Sequence, residues 1–459
     1  MNLSKIQSLH FTGIGGIGMS GLAKIFLEMG YRISGSDLEE NKLIHNLKDK
    51  GAIIYKGHSG KYVKDVDAVV VSSVIPPDNP EVQEARKRNI PLLSRGKLLS
   101  LFANKRNAIV VSGTYGKTTT ASLISSILLY AGKDPTIIIG GELKEIQSNA
   151  RLGKGKYTVI ESDESDGSFL FLLPKISVLT SLGNDHLNYY GSQEKLSQAF
   201  VQFVSSLKEG GGLITNNDDA RLREVVRKAF LSSGVRVMTY GINSLADVTA
   251  TKIEFKKFTS SYVLTYKGKT LGKIKLPLSG LYNIYDSLAS AAVGITLGIS
   301  KDIISRALFS FQGIKRRYEK VGHTASDILV IDDFAYHPVQ IKAVLETSRS
   351  LNRRIIAIFQ PHRYTRTKLL LPQLIHSLKE VDELILTQIY SAGEKPIPGI
   401  DGKLLFDNLK KERNKPTFYL PIKEEIPNFL KKRARKGDLI ITLGAGDIRK
   451  IGEDYLAKN

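Results

Sequence analysis

Lys117 has the richest chemical context in the chain. It belongs to the run Gly113-Thr114-Tyr115-Gly116-Lys117-Thr118-Thr119-Thr120, which follows the apolar stretch NAIVVSG and opens TTASLISSILLYAG. A glycine-containing loop between a strand and a helix offers backbone N–H groups to phosphates. The lysine neutralises β and γ oxygens, and the next hydroxyl can hold Mg2+. The run departs from the usual G-x-x-x-x-G-K-[ST] spacing, because Val111 stands where the first glycine belongs. Glu161 ends the buried strand KYTVIE, where an acid is well placed to hold the magnesium of a bound nucleotide. An acidic helix N-cap accounts for some of Asp163, Glu164 and Asp166 just after it. His186, in NDHLNYYGS, reads either as a structural histidine or as part of a second metal site beside Glu161.

Three further motifs could do chemistry. Gly13-Ile-Gly15-Gly16-Ile-Gly18 follows a strand and opens a helix, and Asp37 ends the next strand. That pattern places a diphosphate on a helix N-terminus, with an acid near the ribose. Taken alone it specifies a diphosphate, not a nicotinamide. FQGIKRRYE puts Arg316 and Arg317 at a junction, where arginines can reach a transferring phosphoryl group when domains close; a charged linker is the plain alternative. In FQPHRYTRT, His362, Arg363 and Arg366 follow a strand, and an arginine pair at i and i+3 can clamp a carboxylate; the plain alternative is a basic helix start.

These motifs need elements to position them. Strand-like apolar runs alternate with helical stretches along most of the chain, which predicts α/β architecture with parallel sheets. Residues 247–277 alternate polar and apolar and read as an antiparallel patch. The length of 459 residues exceeds one core, and the alternation restarts twice. The reading is three domains, 1–106, 107–313 and 314–459: Rossmann-like, P-loop mononucleotide-binding, and Rossmann-like. With no cysteine, thiolate metal sites, iron–sulfur clusters and a cysteine nucleophile are excluded. No apolar stretch is long enough to span a bilayer and no secretory h-region opens the chain, so a cytoplasmic enzyme is expected. The net charge of +21 calls for an anionic partner. The excess is spread over all three regions, and KKRARK at 431–436 is the only dense run, which favours nucleotides over nucleic acid.

The motifs GIGGIGMSG, SGSD, GTYGKTTT, ESDESDGSF, NDH, FQGIKRRYE, DDFAYHP, FQPHRYTRT and LGAGDI come in the order seen in the Mur ligases, and the chain resembles that family over nearly its full length. The resemblance implies a UDP-substrate domain, an ATPase domain and an amino-acid-binding domain. It implies ATP-driven amide formation with Mg2+ through an acyl phosphate, in cytoplasmic peptidoglycan precursor synthesis. The branch indicated by FQPHRYTRT and GAGDI adds L-alanine to UDP-N-acetylmuramate, as a monomer or weak homodimer.

Carried over by motif, Gly113, Thr114, Gly116, Lys117, Thr118 and Thr119 would hold ATP, with Asn283 near adenine and Asp333 near the ribose. Thr118, Glu161 and His186 would hold metal, and Arg316 would meet the transferring phosphoryl group. Gly15, Gly16, Gly18, Asp37, Ser72, Ser73 and Arg95 would face the UDP-sugar, and Phe334, Tyr336, Arg363 and Arg366 the amino acid. Tyr115, Ser181, Tyr282, Asp286, Phe334 and Tyr336 replace residues usual in the family's pattern. The last two bear on the choice of amino acid, so a related ligase attaching a peptide to the same sugar is the alternative. A nicotinamide oxidoreductase is a distant one, since it leaves GTYGKTTT and Glu161 without roles.

Overall fold

The structure is a computed structural model that describes Leu3 and residues 6–459. Among the described residues the strands form three sheets. The first contains β1 (Ser8–Thr12), β2 (Arg32–Asp37), β3 (Ile53–Lys56), β4 (Ala68–Val71) and β5 (Leu92–Ser94), in the order β3-β2-β1-β4-β5, all parallel. SLHFT is buried at every residue, which is why β1 carries no polar alternation. Strand order reverses between β1 and β4, and ligands bind open sheets beyond the strand ends at such a switch. The turn from Gly13 leaves β1 at this crevice. The helix Ile17–Glu28 then buries Met19, Leu22, Ala23, Ile25 and Phe26.

The second sheet contains β6 (Asn107–Ser112), β7 (Thr136–Leu143), β8 (Ser148–Arg151), β9 (Tyr157–Glu161), β10 (Ile176–Leu179), β11 (Gly212–Asn216), β12 (Arg236–Gly241), β13 (Val248–Lys256), β14 (Thr259–Tyr266) and β15 (Lys269–Leu276). Its order is β15-β14-β13-β12-β11-β10-β6-β9-β7-β8. β6 pairs in parallel with β9 on one side and β10 on the other, so the loop from Gly113 emerges between two strand ends. β14 and β15 are antiparallel, as the alternation in 247–277 predicts.

The hairpin of β7 and β8 is absent from the sequence reading. Gly140 and Gly141 interrupt its apolar run, and the helix that it seats lies far away in sequence. β8 seats the helix Ile17–Glu28: Lys24 Nζ donates to Ser148 Oγ and to the Ala150 carbonyl, each at 2.8 Å, and Asn149 donates to the Ile17 carbonyl.

The third sheet contains β16 (Glu319–His323), β17 (Leu329–Asp333), β18 (Ile355–Phe359), β19 (Glu383–Leu386), β20 (Thr417–Tyr419) and β21 (Leu439–Leu443), in the order β16-β17-β21-β18-β19-β20. LVIDD, IIAIF and LIITL are buried throughout, with an apolar cluster on each face. The chain divides into two compact units: Met1–Glu254, Ser260–Pro277 and Leu281–Gln312 form one, and Phe255–Thr259, Leu278–Gly280 and Gly313–Asn459 the other. Among the described residues no helix is long and apolar enough to cross a membrane.

The seat of the first helix yields a stability prediction. A Cβ on Gly21 would stand 2.9 Å from Asn149 Nδ2 and 3.4 Å from Ala150 Cβ. Gly21→Leu therefore overpacks the contact and costs about 1–3 kcal/mol, read as a fall of several degrees in Tm. An unchanged Tm would show that β8 does not constrain this helix.

Candidate active site

In the first unit Lys117 heads the helix Lys117–Tyr130, whose N-cap Gly116 has φ 84°. A Cβ at Gly116 would lie 2.4 Å from Asp286 Oδ1, so this turn admits only glycine. Gly113, at φ 134°, is equally confined, its Cβ position being 2.3 Å from Thr180 Oγ1. The segment after β10 pins the loop. Thr114 N–H donates to the Ser181 carbonyl at 2.9 Å, and Gly183 N–H donates to Thr114 Oγ1 at 2.8 Å. The Ser181 hydroxyl accepts from Tyr115 N–H at 2.9 Å and donates to the Tyr115 carbonyl at 3.2 Å. Two of the unusual residues thus hold each other.

Lys117 Nζ donates to the Gly113 carbonyl at 2.6 Å and to Glu164 Oε2 at 2.9 Å, with Asp163 Oδ1 at 3.3 Å. Burial works to discharge the ammonium, but Glu164, Asp163 and Glu161 outweigh it and hold its pKa above the usual lysine range. Asp163 resists burial in the same way: Lys117 and His186 hold its carboxyl below the usual range. Glu164 goes the other way. Burial, reinforced by Asp163, pushes it up to about 8 against the pull of Lys117.

Asp163, Glu164 and His186 bring one potential ligand atom each within 4.8 Å of one another. Asp163 Oδ1 and Glu164 Oε1 are buried without a hydrogen-bond partner, although Lys117 lies close. Two oxygens aimed at a shared point beside an imidazole fit a hard divalent cation. Glu161 stands apart from this group. Its Oε1 accepts from Thr118 Oγ1 at 2.8 Å and its Oε2 from Gly140 N–H at 2.6 Å, an oxygen pair that also fits a magnesium ion at the phosphates.

His186 therefore lies with Asp163 and Glu164 rather than with Glu161. Of the acids weighed as helix caps, Asp166 accepts from Ser168 N–H at 3.0 Å, but the short helix Ser168–Phe171 has Gly167 as its N-cap and no side-chain cap. Asp163 and Glu164 are the residues that sequence reasoning missed; their signal was a second pair of acids directly after a buried strand. Thr119 and Asn283 are buried nearby in sequence to Thr120 and Asp286, whose side chains meet at 3.1 Å. Asp286, unusual for the pattern, thus keeps an acceptor for Thr120.

At the crevice of the first sheet, Asp37 Oδ2 accepts from Gly15 N–H at 2.8 Å. Gly13 packs on half-buried Ser72, a Cβ there lying 3.1 Å from Ser72 Cβ; Ser73 follows, exposed, after β4. Gly18 faces the Arg95 side chain, whose guanidinium reaches Ser168 Oγ at 3.4 Å and Asp166 at 3.6 Å. The glycine turn, Asp37, Ser72 and Arg95 therefore line one crevice, with Gly16 as N-cap of its helix.

In the second unit Arg316 has φ 63° and is fully engaged. Its Nε donates to Asp332 Oδ2 at 3.2 Å and its other nitrogens to the Gly444 carbonyl at 2.6 Å and the Ala445 carbonyl at 3.2 Å. Phe334 lies under the Arg316 and Arg317 guanidiniums at 5.0 and 5.2 Å. Tyr336 packs between the Phe334 ring at 5.9 Å and the His362 ring at 4.8 Å, and carries Arg366 over its face at 4.4 Å. Arg366 also bonds His362 Nδ1. Tyr390 stacks on the far side of His362 and pairs its backbone with Pro361 and Arg363. Arg363, at φ 65°, precedes the short helix Tyr364–Leu369 and has a buried Nε without a partner. Phe334, Tyr336 and Arg366 thus share one aromatic and cationic patch, and Arg363 is tied to it through its backbone bond to Tyr390. Asp333 lies beside it, accepting from Tyr318 N–H at 2.6 Å and Ala335 N–H at 2.7 Å.

The chain matches the family models for the Mur ligase catalytic domain at residues 8–107, the Mur ligase middle domain at 111–294, and the Mur ligase glutamate ligase domain at 316–446. It is 45% identical to the UDP-N-acetylmuramate–L-alanine ligase of Dictyoglomus turgidum, over 98% of this chain and 97% of that one. It is 43% identical to the enzyme of the same name from Aquifex aeolicus, over 98% of each. The crystal structure of UDP-N-acetylmuramate-alanine ligase MurC from Thermotoga maritima superposes with a TM-score of 0.85 at 27% identity, covering 98% of both chains.

The Asp333 environment makes a pH prediction. Burial pushes this carboxyl from 3.8 to about 6. The folded state therefore binds the proton more tightly, and the group's stabilising contribution is full below pH ~4 and lost as pH rises through ~6. In Asp333→Asn that loss disappears, so the variant gains on the wild type across this window by up to about 3 kcal/mol. Thermal unfolding at a series of pH values checks it: the gap in Tm should move between pH ~4 and ~6 and be constant above ~7. A gap independent of pH would contradict the shift.

Proposed function

The chain belongs to the Mur ligase family, and from that membership we propose that it joins L-alanine to the lactyl carboxylate of UDP-N-acetylmuramate, converting ATP to ADP and phosphate. The structural observation that supports this reading is Lys117, charged and held at a phosphate-binding turn, beside two buried carboxylate oxygens that accept no hydrogen bond. The reaction brings a substrate carboxylate against a triphosphate, so anion repulsion is its first obstacle.

The residues divide the work. The N–H groups of the Gly113–Thr119 loop and Lys117 hold the β and γ phosphates. Asn283 and Asp333 bind the nucleoside. Thr118 with Glu161, and Asp163 and Glu164 with His186, would hold divalent cations, which neutralise phosphate and carboxylate charge when bound. Gly15, Gly16 and Gly18 carry the UDP diphosphate, with Asp37, Ser72, Ser73 and Arg95 around the sugar nucleotide. The lactyl carboxylate oxygen attacks the γ-phosphorus, ADP departs, and an acyl phosphate forms. Arg316 meets the charge that develops on the transferring phosphoryl group. Arg363 and Arg366 clamp the carboxylate of L-alanine, and Phe334 and Tyr336 bound its side chain. Its amine attacks the acyl carbon and phosphate leaves. The reaction belongs to cytoplasmic peptidoglycan precursor synthesis.

Phosphate release from MgATP tests the reading. It should require both UDP-N-acetylmuramate and L-alanine, with glycine and L-serine much poorer. Release with glycine or serine at the alanine rate would refute the assigned pocket, and release without the sugar nucleotide would refute the ligase. Lys117→Ala should lower turnover about 100-fold or more, since one preorganised charge contact is worth about 3 kcal/mol in the transition state. Turnover near the wild-type rate would remove Lys117 from the site.

A further inference from the structure

Glu81 is a fully buried carboxylate outside the residues assigned so far, in the first turn of the helix Pro80–Lys87. Burying a charge costs several kcal/mol unless donors surround it. Three parts of the first sheet supply them. His10 Nε2, from the middle of β1, lies 3.1 Å from Glu81 Oε2. The Ser36 hydroxyl, from the end of β2, donates to the same oxygen at 2.7 Å. Ser59 N–H, beyond β3, donates to Oε1 at 3.2 Å.

The network orders itself. Because Ser36 Oγ–H donates to Glu81, its oxygen accepts from His58 Nδ1–H at 2.8 Å. His10 is fixed on its other side by Ser34 Oγ at 2.9 Å. Burial alone would raise the Glu81 carboxyl, but His10, Ser36 and Thr12 hold it below the usual range.

What the network grips is the glycine turn. The Ser36 carbonyl accepts from Gly13 N–H at 2.9 Å and Ile14 N–H at 3.0 Å. The next residue, Asp37, accepts from Gly15 N–H with its carboxylate and from Gly57 N–H, at 2.7 Å, with its carbonyl. Glu81 thus reaches both the turn and the segment beyond β3 through one residue, Ser36, and one amide, Ser59.

We infer that Glu81 is a positioning residue for the sugar nucleotide: through Ser36 and the 57–59 segment it fixes the Gly13–Gly15 part of the turn, so that the helix N-terminus at Gly16–Gly18 faces the diphosphate. This inference rests on the assignment of that turn to the UDP diphosphate. Glu81→Gln keeps the shape but sets an NH2 among donors, which leaves part of the network unsatisfied. Ser36→Ala removes the link while leaving Glu81 and its helix intact.

The test is calorimetric titration of UDP-N-acetylmuramate and, separately, of MgATP into wild type and both single variants and the double variant, with steady-state kinetics alongside. In Glu81→Gln the dissociation constant for the sugar nucleotide rises at least tenfold, that for MgATP stays within twofold, and KM for the sugar nucleotide rises with kcat at least half retained. Ser36→Ala shows a selective loss of the same kind, and the double variant is no weaker than Glu81→Gln because Ser36 acts through its bond to Glu81. Unchanged sugar-nucleotide affinity, or a parallel loss of both affinities, overturns the inference. If Glu81→Gln does not fold, Ser36→Ala decides alone on the same criterion. A wild-type protein that does not bind the sugar nucleotide would instead overturn the assignment of the turn.

Discussion

A buried ammonium cannot stand without negative charge around it, and most of the active-site geometry follows from where Lys117 finds that charge. Its position is set by the turn at Gly116, which only glycine can adopt against Asp286. From there it reaches the exit of β9, where Asp163 and Glu164 close around it. Those acids are held in place by further contacts: Tyr190 donates to the Glu164 carbonyl at 2.6 Å, and His186 lies 3.9 Å from both carboxylates. One cation does not satisfy two acids this close together. The excess appears as the raised Glu164 carboxyl and as two buried oxygens that accept no hydrogen bond, which a divalent cation would neutralise.

The second unit solves a related problem with fixed charges. Arg316 is held by Asp332, which Arg449 and Thr442 also contact. A guanidinium gripped on three sides, at a positive φ, is preorganised rather than free to search. The aromatic stack of Phe334, Tyr336, His362 and Tyr390 plays the same part for Arg366. The two substitutions in DDFAYHP therefore preserve a supporting surface for the arginine while changing what lines it.

Much of this was legible in the sequence because it is local. The loop at 113–120, the glycine turn and the acid ending β9 each declare themselves within about ten residues, and the alternation of strand and helix announces the three parallel-rich sheets. What was not legible depends on distant partners. ESDESD offers several chemically equivalent acids, and only the position of Lys117 separates Asp163 and Glu164 from Asp166, which faces Arg95. Ser181 looked like a departure from the family pattern, and its hydroxyl turns out to clamp Tyr115, the other departure in that loop. The β7–β8 hairpin was missed because its function, seating the first helix, lies more than 120 residues away in sequence. Tyr390 gave no signal at all, since its role is to stack on His362 from another strand end.

The central claim is that the lactyl carboxylate takes the γ-phosphoryl group before the amine arrives. Oxygen transfer tests it most directly. UDP-N-acetylmuramate labelled with 18O in its lactyl carboxylate is turned over with MgATP and L-alanine, and the released phosphate is examined by mass spectrometry. The account predicts one labelled oxygen in each phosphate, because the bond formed to phosphorus is kept when the amine displaces phosphate at carbon. Unlabelled phosphate from productive turnover would contradict it.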